Sequence, residues 1–437
     1  MKKLTNVLAL LLSLSAVSGT NLQAHTQVPG APQSQPILIQ DGTVHTGDGE
    51  VLKGYDLLLE NGVISQLEQQ IPVPENAKVI SAVGQSVYPT LIALDTTLGL
   101  LEIDAVRATD DEGEVGSINP NAQGYIAFNA DSELLPPTRS NGIGYVQVAP
   151  KGGLLSGTSS LVHLDGWNNV DSLLIDDLGV HLRWPTIKLR QGWYVSQDPE
   201  SQREDYAEDL AKLHKAFADA KRYKYAKEAD QLAATDQRWE AMLPVLRGEQ
   251  PIYIHADDIR DIVQAIAFAQ RERLAMILVG GAQADQAINS LLRFNIPVIY
   301  THSVAHPFTE DDGYDSAFSV PLKLQKAGVK YALAFHNEGT WDVRNLPFAA
   351  GQAVGFGLTK EQALTAITLT AAEILGVDEE LGSLRPGKRA SLVIAPGDIL
   401  DYSGHPIKAM LIDGREVDLN NRQKQLYQKY QQKPAAK

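Results

Sequence analysis

From Pro251 onward the chain repeats one unit, a short apolar run ending on a polar residue and followed by a helical stretch. Ile252 to Ile254 leads into a helix from Asp257, and Met276 to Val279 into one from Ala284. Pro297 to Tyr300 leads into a helix near Ser316, and Tyr331 to Phe335 into one near Leu346. Strands alternating with helices at this spacing build a parallel sheet. Upstream, Gly144 to Val148, Ser160 to Leu164 and Leu173 to Ile175 read as further strands. Glu204 to Lys221 reads as an amphipathic helix with Tyr206, Leu210, Leu213 and Phe217 on one face. About 290 residues of such alternation match a closed (β/α)8 barrel with insertions. A doubly wound open sheet is the alternative, but it leaves the chain ends unexplained.

Those ends share a β texture. Ile37 to Ile39, Leu57 to Leu59, Val63 to Leu67, Lys78 to Ser81 and Ser86 to Ile92 are short β-type runs, punctuated by Asp41-Gly42 and Asn61-Gly62. Ala390 to Ile394 and Ile407 to Ile412 repeat the pattern beside Asp413-Gly414. The expected architecture is therefore α/β: a (β/α)8 TIM-like barrel over 89–382, with a small β-sandwich formed by both chain ends, 37–88 and 383–419. A linker at 25–36 and a polar tail at 420–437 flank it. At the start, Lys2 and Lys3 precede the apolar run Val7 to Leu14, and Ala24 is the small residue expected at a cleavage point. This predicts a signal peptide over 1–24 and an exported, periplasmic product with no membrane insertion after cleavage.

Composition narrows the chemistry. The 437 residues contain no Cys, which excludes disulfides, thiolate metal sites and a cysteine nucleophile. Any metal must rest on His, Asp, Glu or a modified Lys. With 38 Lys and Arg against 53 Asp and Glu, the net charge of −15 repels phosphate backbones, so nucleic acid is not an expected partner. A small-molecule substrate or ligand is. No G-x-S-x-G elbow, H-E-x-x-H or P-loop is present.

Barrel chemistry lies at the C-terminal ends of the strands. After Leu91-Ile92-Ala93-Leu94 comes Asp95, after Ile252-Tyr253-Ile254 comes His255, after Val298-Ile299-Tyr300 come Thr301 and His302, and after Ala332-Leu333-Ala334-Phe335 comes His336. Three of the ten histidines are thus aimed at one mouth. His163 and His181 lie in or beside apolar runs and read as core or as supports behind a site, and His45 as structural. His306 follows His302 by four residues, but Pro307 makes that stretch a loop. The small-residue run Gly152 to Ser160 reads as a tight turn or as a source of backbone N–H donors.

Four segments resemble the amidohydrolase superfamily, in its imidazolonepropionase-like branch. They are Asp41 to Leu67, Ser86 to Leu100, Ile254 to Ala269 and Leu364 to Ile394, the last being the most specific. The resemblance implies hydrolysis of carbon–nitrogen bonds by metal-activated water. It also implies a His-x-His at the end of the first barrel strand, where this chain has Asp95 and Thr97. On the sixth strand a His is expected, and Leu278 to Ala284 has none. On the eighth an Asp is expected, and His336 stands there. His255 matches the pattern, and Lys188 is a weak candidate for a carboxylated lysine. Three readings follow. The first is a rebuilt site in which Asp95, His255, His302 and His336 hold one divalent metal, zinc foremost, with His336 and Asp95 as candidate catalytic residues. The second is a weak or metal-free hydrolytic site. The third is a catalytically inactive ligand-binding or partner subunit, a homo-oligomer or the pair of an intact homologue.

Overall fold

The computed structural model describes residues 27–192, 195–335, 340–403 and 406–433, so the expected signal peptide and His336 lie outside the described residues. Two eight-stranded sheets organise the chain. The first collects β1 (Ile37–His45), β2 (Val51–Glu60), β3 (Val63–Glu68), β4 (Lys78–Ser81) and β5 (Ser86–Pro89). To these it adds β14 (Leu392–Ala395), β15 (Ala409–Ile412) and β16 (Arg415–Glu416) from the other end of the chain. Its order is β16-β15-β14-β5-β1-β2-β3 with β4 beside β1, so the seam between the chain ends is the antiparallel β5–β14 ladder. Ile39, Leu57, Leu59, Val87, Leu392 and Leu411 fill its core.

The second sheet is the barrel: β6 (Leu91–Thr96), β7 (Ile143–Val148), β8 (Leu155–His163), β9 (Leu173–Arg183), β10 (Ile252–Ala256), β11 (Met276–Gly280), β12 (Val298–Tyr300) and β13 (Tyr331–Leu333). Side chains alternate across a strand, and the packing clusters show which parity faces in. On β10, Ile252 and Ile254 join the cluster shared with the surrounding helices, while Tyr253 joins the barrel-interior cluster with Ile92, Leu94, Tyr145, Ile277 and Ile299. On β9, Val180 and Leu182 face the helices, so His181 and Arg183 face in.

The barrel departs from an all-parallel pattern at one strand, since β8 runs antiparallel to both β7 and β9. The reason lies in the connections. Only residues 149–154 separate β7 from β8, too few for the crossover that parallel neighbours need. The run Gly152 to Ser160 is therefore a turn and then β8 itself. The expected strand Ser86 to Ile92 is split at Thr90, whose N–H donates to Ser391 O at 3.2 Å, so its halves belong to different sheets. The amphipathic helix extends over Pro199–Glu228, and the polar tail carries a helix over Arg422–Gln431.

The end sheet closes the floor of the barrel. Val393, Met410 and Ile412 continue the interior cluster, and the Tyr145 hydroxyl meets Ser391 Oγ at 2.5 Å and donates to Asp413 Oδ1 at 2.8 Å. A buried ion pair, Arg139 Nη1 to Asp165 Oδ1 at 3.1 Å, lies alongside. Asp165 also accepts from the N–H of Gly30, at 3.1 and 3.3 Å to its two oxygens. No helix of the described residues is long and apolar enough to cross a membrane.

Candidate metal centre

Three side chains converge at the C-terminal end of the barrel strands: Asp95, His181 and His255, with one donor atom from each lying within 4.8 Å of the others. His181 Nδ1 and His255 Nε2 are 2.9 Å apart, and Asp95 Oδ1 stands 3.9 Å from the first and 3.8 Å from the second. Strand parity explains the histidines. Tyr253 pairs with His181 and His255 with Arg183 in the parallel β9–β10 ladder, placing the imidazoles one pleat apart on the interior face. The His181 ring is stacked on Tyr253, with centroids 4.6 Å apart and planes within 6°.

Asp95 arrives differently. By alternation it would face outward beyond Leu91 and Ala93, but its φ is +51° and the β6–β7 register shifts between Ala93 and Thr96. Aspartate tolerates this left-handed conformation better than most residues. The kink turns Asp95 toward the histidines, and its N–H donates to Gln147 Oε1 at 3.1 Å.

Burial holds both imidazoles well below the ordinary histidine range. In His181 the neighbouring His255 adds to this while Asp95 opposes it, and in His255 the charges of Arg183 and Lys151 add to it. Two neutral imidazoles and a carboxylate are ligand types that suit a divalent ion such as zinc. At 2.9 Å the two nitrogens must have either a proton or a cation between them, because two lone pairs alone would repel.

Of the residues singled out in the sequence, Asp95 and His255 meet in this cluster. His302 instead faces Asp257, with Nε2 3.6 Å from Oδ1, and its Nδ1 lies 3.1 Å from Thr301 Oγ1. Thr97 Oγ1 is 3.2 Å from Thr340 Oγ1. Lys188 donates to Phe308 O and lies 3.5 Å above that ring, so it bridges no metal pair. His306 is exposed in a loop. The structure adds His181, which sequence reasoning left in the core, and Asp257. The N–H of Ala282 donates to Asp257 Oδ1 at 3.2 Å. A cavity of about 1270 Å³ opens beside the cluster, lined by His255, Asp257, Arg183, Trp184 and Lys188 among others.

The fold is thus an eight-stranded TIM-type barrel with two histidines and an acid at its mouth and a floor made by a sheet from both chain ends. Residues 322–417 match the model of the Amidohydrolase family. Amidohydrolase tasK of Hapsidospora irregularis is 19% identical over 427 residues, covering 87% of this chain and 43% of that protein. The imidazolonepropionase of Maricaulis maris (strain MCS10) is 36% identical over 98 residues, 21% of this chain and 24% of that one. The chain thus spans less than half the length of these curated relatives. The crystal structure of an amidohydrolase from Thermotoga maritima MSB8 superposes with a TM-score of 0.78 at 22% identity, covering 87% of this chain and 99% of that one. The family match thus covers residues 322–417, and over most of the remaining chain the likeness to an amidohydrolase is one of fold.

Proposed function

We propose that this protein hydrolyses carbon–nitrogen bonds of cyclic amides or small peptide-like substrates, with a divalent ion held by Asp95, His181 and His255. The observation that carries the reading is the convergence of three donors within 4.8 Å at the mouth of the barrel. A divalent ion bound there supplies Lewis-acid activation of water and of the scissile carbonyl. The protein supplies the rest. Burial keeps both imidazoles neutral at pH 7, so their lone pairs are available for ligation. The Tyr253 ring fixes the plane of His181, and Gln147 holds the backbone of Asp95. We assign proton acceptance to Asp257, whose Oδ1 is anchored by Ala282 and faced by His302 while its carboxylate lines the cavity. His336, which follows the eighth strand in the sequence, is the second candidate for that role.

The same proposal puts this activity outside the cytoplasm, on the expectation of an export signal at residues 1–24. The test is elemental analysis of full-length protein purified without chelator, paired with turnover of cyclic amides and dipeptides. Near-stoichiometric zinc, manganese or iron, lost together with turnover in His181→Ala and His255→Ala, supports the reading. A chain that takes up no ion from excess metal and turns over nothing overturns it, leaving ligand binding or subunit pairing as the role of the fold.

A further inference from the structure

Beside His255, in register on the neighbouring strand, stands Arg183. The pairing has a directional consequence. Neighbours in a parallel ladder project to the same face, and Arg183 is two residues beyond His181 on β9, so its side chain rises from the cluster toward the mouth. It is half-buried and lines the same 1270 Å³ cavity as His255 and Asp257. Among the described residues no carboxylate pairs with its guanidinium, so its planar set of donors is left open to the cavity.

Its surroundings sharpen the point. Arg260 is neutralised by Asp258 at 2.7 Å, Arg190 donates to Gln197 at 3.1 Å, and Lys188 is bound to the Phe308 carbonyl and ring. Arg203 lies exposed at the rim of the cavity. The cavity thus gathers five basic side chains against Asp257, Asp261 and Glu310, although the chain as a whole carries 53 acids and 38 bases. Asp261 is already engaged, accepting from Thr186 Oγ1 at 2.7 Å and from Ile187 N–H at 3.1 Å. With Arg260 cancelled by Asp258, four basic side chains stand against three acids in the lining, so the cavity lacks the acidic excess of the rest of the chain and does not repel a carboxylate.

We propose that Arg183 is the specificity-determining residue of this site and that the substrate carries a carboxylate which it binds while the scissile amide lies against Asp95, His181 and His255. The assignment rests on the hydrolase reading for the second half of that statement and on the β9–β10 geometry for the first. A planar guanidinium accepts a carboxylate in two parallel hydrogen bonds, a geometry that lysine cannot reproduce.

The experiment compares N-benzoylglycine with N-benzoylglycinamide, which differ only in the terminal carboxylate. Binding is measured by calorimetry on the full-length, zinc-supplemented protein, and turnover is followed in parallel. The expected result is that wild type binds the acid about tenfold or more tightly than the amide. Arg183→Met should erase the difference without changing zinc content, Arg183→Lys should keep part of it, and Arg203→Met should keep nearly all of it. In turnover, Arg183→Met should raise KM for the acid by a larger factor than for the amide. Equal binding of the two probes by wild type, or a preference that survives in Arg183→Met, overturns the proposal. A preference that behaves as expected with no turnover of either probe upholds the role of Arg183 and counts against the hydrolase reading alone.

Discussion

His181 Nδ1 and His255 Nε2 face each other across adjacent strands at 2.9 Å, with Asp95 Oδ1 just under 4 Å from both. This triangle can be tested one corner at a time. Three fixed ligands are the usual minimum for a catalytic zinc site. His181→Ala, His255→Ala and Asp95→Ala should therefore each lower metal occupancy from about one ion per chain to near zero. His302→Ala should leave occupancy unchanged, since His302 faces Asp257 instead. Inductively coupled plasma mass spectrometry after dialysis reads the difference directly.

Acid should weaken the fold through the same two rings. Both imidazoles are neutral in the native state with lowered pKa values, whereas in the unfolded chain they titrate near about 6.5. The unfolded state therefore binds more protons below that value, and the stabilising contribution is complete above it and is lost as pH falls. Each ring contributes a slope of up to about 1.4 kcal/mol per pH unit. Urea denaturation of metal-free protein at pH 7.5, 6.0 and 5.0 measures it, and a His181→Gln variant should show the shallower dependence of one ring.

Asp257 and Gly280 are coupled by space. Gly280 has a φ of +91°, and a Cβ there would come within 2.5 Å of Asp257 Oδ1. Gly280→Ala should cost about 1–3 kcal/mol through backbone strain. It should also displace the carboxylate from Ala282, so kcat should fall while zinc content holds. Thermal unfolding, metal analysis and single-turnover rates separate these effects.

The Arg139–Asp165 pair is almost wholly buried, and burial raises the Asp165 pKa even though Arg139 opposes that shift. Removing Arg139 leaves buried Asp165 with only the more distant Arg415, 3.8 Å away, and the Gly30 N–H, so Arg139→Met should cost about 3 kcal/mol. The double variant Arg139→Met with Asp165→Leu should recover much of that loss. Urea midpoints of the three proteins decide the matter.

Much of the architecture was legible because apolar runs and turn residues mark strand ends. His255 could be read from the three apolar residues before it. His181 could not, although the same logic applies. Val180 and Leu182 on either side made it look like core, yet those residues face the helices and thereby turn His181 inward. The strand was also read as ending at Ile175, because Asp176 and Asp177 interrupt the apolar pattern while β9 continues to Arg183. Asp95 lay where a ligand was sought, but the kink that directs its carboxylate is a tertiary effect no local pattern encodes. The reversed β8 was hidden for a related reason, since strand direction depends on the length of a connection whose role as a turn had been left open.

The seam between β5 and β14 joins residues laid down before the barrel to residues made after it. During synthesis, β5 must wait with an open edge while the whole barrel emerges, and the floor beneath Tyr145 is sealed only when Ser391 and Asp413 arrive. The last strands therefore act as a latch on assembly: until they dock, the interior cluster remains open to water from below.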